Sequence, residues 1–238
     1  MNVLILFGGS QSNDNSNYPS FLNEFKNKPV LEYVLETCKT LGPSSINLVF
    51  KKHHIRKYFL KELVEQIHPS SMVIGMEGDT QGAACSAMLA VDQIDNKYPL
   101  LVLNGDEHLS LNFAEIIDGF VKRNADAGTI VFDSVHPRYS YVRLDAEDNV
   151  IEAAEKKPIS RNATVGFYWF NKGSDFVLAT KKMIIKNDRY NGLFYVCPSF
   201  NQLILEGKKV VVHKTDSAAY HPLKDSNQIY ENSCYLSK

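Results

Sequence analysis

Residues 104–107, Asn-Gly-Asp-Glu, directly follow the most apolar run of the sequence, residues 99–103. A carboxylate has no structural need to stand at the end of a buried strand, and carboxylate oxygens are the ligands that Mg²⁺ takes where it bridges phosphates. The position predicts that Asp106 holds a divalent ion, with a simple Asx turn as the alternative. Zinc is not indicated, because no His or Cys lies at a useful spacing.

A second segment joins an apolar N-terminal run to small residues. Phe7 ends the run and is followed by Gly8, Gly9 and Ser10. Small residues allow backbone N–H groups to approach a phosphate closely. We expect a nucleotide-binding turn here, although a plain turn has the same composition.

A third segment, residues 78–84, opens a predicted helix and contains Gln81 and Gly82. A glutamine amide can form paired hydrogen bonds with the flat edge of a base, and small residues let a ring lie against the helix start. The alternative is a tightly packed helix start capped by Asp79 or Thr80.

The last group of candidate residues comes after residue 135. Glu155 can accept hydrogen bonds from sugar hydroxyls, Lys156 can hold a phosphate, and Gly166 lets a substrate ring approach the backbone. Each has an ordinary alternative, since Lys156 and Lys157 can form a solvated pair and a strand glycine often marks a bulge.

Alternating strands and helices must position these segments. The predicted strands are residues 2–7, 46–50, 72–74, 99–103, 129–132, 141–144, 150–154, 164–170 and 210–213, and the predicted helices are residues 29–42, 59–67, 84–91, 113–121 and 174–185. Asn112 and Glu115 resemble a capping box. This rhythm predicts an α/β fold with a Rossmann-like, mostly parallel mixed sheet, helices on both faces and a smaller β-rich insertion or lid. Ligands of such sheets bind at the carboxyl ends of the strands.

Composition and charge exclude several classes of protein. The 238 residues are 44% hydrophobic and 22% charged, which excludes a disordered chain. The net charge of -1 provides no general basic field for nucleic acid. No apolar run is long enough to span a membrane, and the N-terminus lacks the basic region of a signal peptide, so we expect a cytoplasmic protein. Four scattered cysteines are expected to be free, buried thiols, namely Cys38, Cys85, Cys197 and Cys234.

Taken in order, these segments resemble those of the sugar-1-phosphate nucleotidylyltransferases, which share a nucleotide-binding fold with the GT-A glycosyltransferases. The resemblance covers nearly the whole chain and rests on residues 8–9, 78–84, 104–106, 137–142, 155–158 and 165–170. It implies one domain, residues 1–238, with a nucleotide-binding half (1–133) and a sugar-phosphate-binding half (134–238). A homo-oligomer is a further possibility.

The resemblance also implies roles for individual residues. Asp106 binds Mg²⁺, and Lys156 holds the phosphate of a phosphorylated acceptor. The nucleoside triphosphate is bound by Phe7, Gly8, Gly9, Ser10, Gln81 and Gly82, and the acceptor by Asn104, Tyr141, Glu155 and Gly166.

The chain departs from this family at cationic and metal-binding positions. Ser12 and Ser20 stand where the family has an Arg and a Lys that neutralise the triphosphate. The second metal-binding Asp of the family is missing from the matching stretch, residues 221–226, and Asp216 is a nearby candidate substitute. Loss of both cations should slow transfer by orders of magnitude, because positioning and electrostatics supply most of the catalysis.

Three functions therefore remain open. The first is an active nucleotidyltransferase that releases pyrophosphate and supplies a surface-polysaccharide precursor. The second is a nucleotide- or nucleotide-sugar-binding regulatory protein that has lost catalysis. The third is a GT-A glycosyltransferase in which Asp106 and Glu107 hold the metal.

Overall fold

The protein is described here as a computed structural model, which covers residues 1–7 and 18–235. The predicted nucleotide-binding residues Gly8, Gly9 and Ser10 lie outside the described residues, as does Ser12. Within the described part, no helix is both long enough and apolar enough to cross a bilayer.

The strands of the described residues are β1 (Asn2–Leu6), β2 (Glu24–Phe25), β3 (Lys28–Pro29), β4 (Ser45–Lys51), β5 (Ser71–Met76), β6 (Leu100–Asn104), β7 (Glu107–Leu109), β8 (Ala127–Asp133), β9 (Ser140–Leu144), β10 (Val150–Glu155), β11 (Asn162–Phe170), β12 (Val210–Lys214) and β13 (Tyr220–Pro222). The α-helices are α1 (Val30–Lys39), α2 (Lys52–Lys57), α3 (Leu60–Ile67), α4 (Ala83–Ala87), α5 (Val91–Ile94), α6 (Phe113–Lys122), α7 (Gly173–Ile185), α8 (Ser199–Leu205) and α9 (Ser226–Tyr235). Single 3₁₀ turns cover Ser20–Leu22, Met88–Ala90 and Ser217–Ala219.

A mixed sheet forms the centre of the fold. Its main path runs β10-β9-β11-β6-β1-β4-β5, and β8 connects β11 to β12. The central strands β6, β1, β4 and β5 are parallel. The long strand β11 is antiparallel to β6, β8 and β9, and the strands predicted at residues 141–144 and 150–154 form the antiparallel hairpin β9–β10.

Helices cover both faces of this sheet. Along β1, Val3 and Ile5 contribute to one hydrophobic core, and Leu4 and Leu6 contribute to the other. Such alternation follows from the two-residue period of a strand, and it explains why β1 is apolar at each position from Val3 to Leu6. Helices α1, α3 and α6 pack on the first face, and α4, α5, α7 and α8 pack on the second. The predicted α/β fold class is confirmed.

Most predicted elements are present, with two informative differences. Asn112 is the predicted N-cap, because its Oδ1 accepts hydrogen bonds from the N–H groups of Ala114 (3.1 Å) and Glu115 (3.4 Å), while Glu115 Oε1 accepts from the Asn112 side chain at 2.7 Å. The helix predicted over 84–91 is instead broken into α4, a 3₁₀ turn and α5. The pairing of β7 with β13 was not predicted, since each strand has only three residues and too little pattern to detect.

The cysteines are free, as predicted, although they are not all buried. Cys38 and Cys197 lie in the core, Cys85 is partly buried, and Cys234 is exposed on α9. The prediction of burial was wrong for Cys234, because α9 is a surface helix whose apolar pattern is weak.

Candidate active site

Four parallel strands bring their carboxyl ends to one edge of the sheet. Leu6 of β1 lies beside Val49 of β4 and Asn104 of β6, and Lys51 of β4 lies beside Met76 of β5. The residues that follow these strands therefore meet at this edge, where ligands of α/β sheets bind. Three of the segments chosen from the sequence begin here.

A buried carboxylate organises the end of β6. Glu107 accepts hydrogen bonds from Asn104 Nδ2 (3.1 Å, to Oε1) and from the backbone N–H of Gly166 (2.7 Å, to Oε2). Its Oε1 also lies 3.4 Å from Lys224 Nζ, and the Glu107 side chain is only 6% exposed. This group, Asn104, Glu107, Gly166 and Lys224, is called the Glu107 cluster below.

The sequence did not predict the roles of two members of the Glu107 cluster. Glu107 was considered only as a metal ligand beside Asp106 in the glycosyltransferase alternative, and Lys224 was not chosen at all. Their proximity depends on the pairing of β7 with β13, which places Pro222 opposite Glu107. The only signal for Lys224 was its place in the stretch 221–226, which matches the second metal-binding segment of the resembled family.

Asp106 lies beside this cluster in the turn between β6 and β7. Its backbone carbonyl accepts a hydrogen bond from Leu223 N–H at 2.7 Å, which ties the turn to the chain segment after β13. No side chain of another described residue donates a hydrogen bond to its carboxylate. Burial raises the pKa of Asp106 above its ordinary value, the positive charge of Lys224 opposes this rise, and the charge of Glu107 adds to it.

The carboxylate oxygens at this edge fit the binding of a divalent ion by one protein side chain. Both oxygens of Glu107 are already occupied within its cluster, whereas the Asp106 carboxylate has no side-chain donor among residues 1–7 and 18–235. Mg²⁺ is usually bound by one or two carboxylates together with substrate phosphates and water rather than by a protein cage. No group of three or more His, Cys, Asp or Glu side chains able to hold a metal is present in the described part of the chain.

Asp216, the candidate second metal ligand, has a different contact in the structure. Its exposed carboxylate caps a 3₁₀ turn by accepting a hydrogen bond from Ala218 N–H at 2.7 Å. This bond satisfies the Asx pattern of a short turn. Capping this turn is sufficient to explain an aspartate at position 216. Its role as a metal ligand remains a prediction that no contact supports.

Gly166 and Asn104 are matched in shape. A Cβ atom on Gly166 would lie 2.3 Å from Asn104 Nδ2, so the Asn104 amide occupies the space above this glycine. Gly166 also lies between Thr164 and Tyr168, where the register of β11 with β8 shifts. The glycine is therefore needed for the packing of Asn104 at a bulge, whether or not a substrate ring approaches it.

Glu155 and Lys156 lie at the end of the β9–β10 hairpin. Glu155 is buried (7% exposed) and accepts a hydrogen bond from Ser140 Oγ. Burial raises the pKa of Glu155, while the Ser140 hydrogen bond and the positive charges of nearby lysines oppose the rise. Lys156 adopts a left-handed backbone conformation (φ 51°), and its ammonium donates to Tyr195 Oη at 3.1 Å. Such a conformation is costly for a residue other than glycine and is frequent at functional sites.

Tyr141 is placed differently from the other predicted acceptor residues. Its side chain is fully buried in the core, and its hydroxyl donates a hydrogen bond to the His136 carbonyl at 2.7 Å. A phenol buried in this way stabilises the segment 136–141 and has no surface left for a ligand. The structure therefore gives no support to the predicted contact between Tyr141 and the acceptor.

On the nucleotide side, Gln81 is exposed and Gly82 is constrained by its neighbours. The Gln81 carbonyl accepts a hydrogen bond from Phe194 N–H at 2.7 Å. Gly82 has φ 111°, and a Cβ atom there would lie 2.3 Å from the Phe194 carbonyl oxygen. The helix start is thus closely packed, and neither Asp79 nor Thr80 caps α4, whose N-cap is Gly82 without a side-chain hydrogen bond.

Phe7 lies beneath this edge rather than on its surface. Its ring is buried, stacks on Phe50 with centroids 4.7 Å apart, and meets Phe21 edge-on. A Cβ atom on Gly105 would lie 2.2 Å from the Phe7 ring, so the turn before Asp106 rests directly on this ring. Phe7 therefore supports the turn that carries the carboxylate, and a contact with nucleotide remains a prediction.

Two lysines after β4 pair with acids after β5. Lys51 Nζ lies 2.8 Å from the Asp79 carboxylate, and Lys52 Nζ lies 2.5 Å from that of Glu77. These pairs connect the two loops at the nucleotide side of the edge. Each of these lysines therefore already has an acidic partner in the structure.

Residues 15–194 match the family described as nucleotidyl transferase, a match that covers most of the chain. The chain belongs to the nucleotidyl transferase family. The match includes Asp106, Glu155, Lys156 and Gly166 of the candidate site, and it confirms the resemblance derived from the sequence motifs.

Curated relatives of this nucleotidyl transferase family member include bifunctional GlmU proteins. That of Ralstonia pickettii is 25% identical over 241 residues, which cover 98% of this chain and 49% of the relative. That of Thermotoga maritima is 28% identical over 222 residues, which cover 91% and 46%. The chain therefore spans about half the length of these relatives.

Solved structures share the fold of this nucleotidyl transferase family member. The nucleoside-diphosphate-sugar pyrophosphorylase from Vibrio cholerae superposes with a TM-score of 0.83 at 18% identity, covering 99% of this chain and 100% of that one. A putative glucose-1-phosphate thymidylyltransferase from Bacillus anthracis gives a TM-score of 0.78 at 17% identity, with coverage of 99% and 94%.

Proposed function

We propose that this chain transfers a nucleoside monophosphate from a nucleoside triphosphate to a sugar phosphate or a similar phosphorylated acceptor. The supporting observation is the available Asp106 carboxylate beside the Glu107 cluster, which joins the end of β6 to Gly166 of β11. This cluster lies between the nucleotide-side segments and the Glu155–Lys156 segment. Family membership supports the same reaction class.

The proposed reaction is one displacement at phosphorus. An oxygen of the acceptor phosphate forms a bond to the α-phosphorus of the triphosphate, while the bond from this phosphorus to the oxygen bridging to the β-phosphate breaks. The electron pair of the broken bond leaves with pyrophosphate. A Mg²⁺ ion held by Asp106 and the phosphates would neutralise their charge and polarise the α-phosphoryl group.

The chain's own residues would bind and orient the two substrates. The exposed Gln81 amide is available to the edge of the base, next to the closely packed Gly82. Lys156, whose ammonium group donates a hydrogen bond to Tyr195, binds the acceptor phosphate. The carboxylate oxygen of Glu155 that does not accept from Ser140 accepts a hydrogen bond from a sugar hydroxyl. Holding both reactants in one geometry supplies much of the rate enhancement of such a transfer. Synthesis of a surface-polysaccharide precursor in the cytoplasm is the cellular role we propose.

The direct test is pyrophosphate release from a panel of nucleoside triphosphates and sugar phosphates with Mg²⁺. We expect turnover with one base, and its loss in Asp106→Asn. Asp133→Asn is the matched control, because Asp133 is an exposed acid at the end of a strand and pairs with Arg161. Equal rates in Asp106→Asn and the wild type would contradict the proposed role of Asp106.

A binding protein without catalysis is the second candidate. The position where the resembled family has a lysine is Ser20, which begins a 3₁₀ turn whose Phe21 is buried in the aromatic cluster with Phe7 and Phe50. No cation stands at this position to neutralise the triphosphate. Tight nucleotide binding by calorimetry, with no pyrophosphate released from any pair of substrates, would favour this candidate.

A further inference from the structure

The chain segment after β13 brings a positive charge to the proposed metal site. Pro222 pairs with Glu107, and Leu223 N–H donates to the Asp106 carbonyl, so Lys224 runs directly alongside both acidic residues. The backbone is held on the other side by α9, where Asp225 Oδ1 accepts a hydrogen bond from Gln228 N–H at 2.8 Å. The position of Lys224 is therefore defined by strand pairing and a helix cap.

The Lys224 ammonium remains available to a ligand. Its side chain is 46% exposed, whereas that of Glu107 is 6% exposed. The distance of 3.4 Å to Glu107 Oε1 is longer than a usual charged hydrogen bond, and an ammonium group has three protons to donate. Glu107 thus holds the ammonium beside the site without fully satisfying it.

The charge of Lys224 also reaches the acceptor side of the site. It opposes the rise in the pKa of Asp106 and, with Lys156, that of Glu155. The positive charge of Lys224 therefore acts both on the carboxylate proposed to hold the metal ion and on one of the residues proposed for the acceptor.

We propose that Lys224 binds the nucleotide phosphates directly and is a fixed positive charge that partly replaces a divalent ion in this site. The proposal rests on the proposed nucleotidyl transfer. It follows that the protein retains measurable affinity for a nucleoside triphosphate when divalent ions are removed. It also follows that this residual affinity depends on the charge at position 224.

The test is calorimetric titration with ATP, GTP, CTP, UTP and dTTP in turn, without an acceptor, in excess Mg²⁺ and in EDTA. With the best-bound nucleotide in EDTA, we expect Lys224→Gln to weaken binding about ten- to a hundredfold and Lys224→Arg to change it less than threefold. Lys224→Asp should abolish binding in EDTA and make it wholly dependent on Mg²⁺. Thermal unfolding without nucleotide establishes that each variant is folded.

Lys182→Ala is the matched control, because Lys182 is a partly exposed lysine of α7 that pairs with Glu206, the residue after α8, away from the site. Affinity in EDTA that is equal in Lys224→Gln and the wild type overturns the proposal, as does a wild type that binds nucleotide only with Mg²⁺. Either result leaves the proposed nucleotidyl transfer standing. A wild type that binds none of the nucleotides under either condition overturns both.

Discussion

The backbone N–H of Gly166 donates a hydrogen bond to the Glu107 carboxylate across 2.7 Å, and this bond joins β11 of the central sheet to β7, which pairs with β13 in a separate two-stranded sheet. Gly166 lies where the register of β11 with β8 shifts, so its N–H is not part of the regular hydrogen bonding between these two strands. A buried carboxylate thus satisfies a backbone donor at a bulge and, through Asn104 and Lys224, arranges the edge of the candidate site.

Glu107→Gln should destabilise the fold, because an amide cannot accept all three contacts of the carboxylate and leaves the Lys224 charge without its closest partner. We expect the free energy of unfolding to fall by about 3 kcal/mol. Urea denaturation at pH 7 measures the change. Glu152→Gln is the control, since Glu152 forms an exposed ion pair with Arg143 and should cost about 0.5 kcal/mol or less. Similar losses in the two variants would argue against an organising role for Glu107.

Gly82→Ala should be more costly than Gly78→Ala, although both glycines have positive φ. Nothing lies within 4 Å of a Cβ atom on Gly78, whereas on Gly82 it would clash with the Phe194 backbone. We expect a loss of about 1 kcal/mol for Gly78→Ala from backbone strain alone. The loss for Gly82→Ala should be about 3 kcal/mol. Denaturant unfolding of both variants checks the difference, and equal losses would show that Phe194 yields without cost.

Stability should fall in mild acid because of His54. This side chain is 4% exposed and packs against Phe21. Burial, together with the positive charges of His53, Lys51 and Lys57, lowers the pKa of His54 from 6.5 to about 4. Below pH 6.5 the unfolded chain therefore binds a proton that the folded protein does not accept until the pH approaches 4. The stabilisation from neutral His54 is complete above pH 6.5 and is lost as the pH falls through this window.

The expected loss between pH 6.5 and 4 is about 3 kcal/mol, with a slope near 1.4 kcal/mol per pH unit. Urea denaturation at several pH values should show a flatter profile in His54→Gln than in the wild type. Part of the slope will remain in the variant, because burial also lowers the pKa of His108 to about 4. If the free energy of unfolding falls with pH equally in the wild type and in His54→Gln, His54 does not cause the loss of stability in acid.

The thiols should differ sharply in reactivity. Cys38 and Cys197 are buried, and burial raises the pKa of Cys38 to about 12, whereas Cys234 is exposed. Since the thiolate is the reactive form, Ellman's reagent should modify Cys234 rapidly in the folded protein and the core thiols only after unfolding. Cys234→Ser should remove the rapid phase. A rapid phase that persists in this variant would show that one of the other thiols is accessible.

The fold class followed from local patterns. Long apolar strands and helices with a clear 3.6-residue stripe, such as α6 with its Asn112 cap, carry their own signal in a few neighbouring residues. The strand ends then indicated Asp106 and Gln81, because parallel strands present their carboxyl ends at one edge. Short pairings carried no such signal, and β7, β13 and α9 were absent from the predictions.

The local residue types were enough to identify a carboxylate after β6, a Glu–Lys pair after a hairpin and a glycine in an aromatic strand, and with them the nucleotidyl transferase family. Only the tertiary structure placed Lys224 beside Glu107, buried Tyr141 in the core and paired Lys51 and Lys52 with acids of the next loop. The physical reason is sequence separation. Glu107 and Lys224 are more than a hundred positions apart, and they meet because two three-residue strands pair once the sheet has folded, a contact that no local pattern specifies.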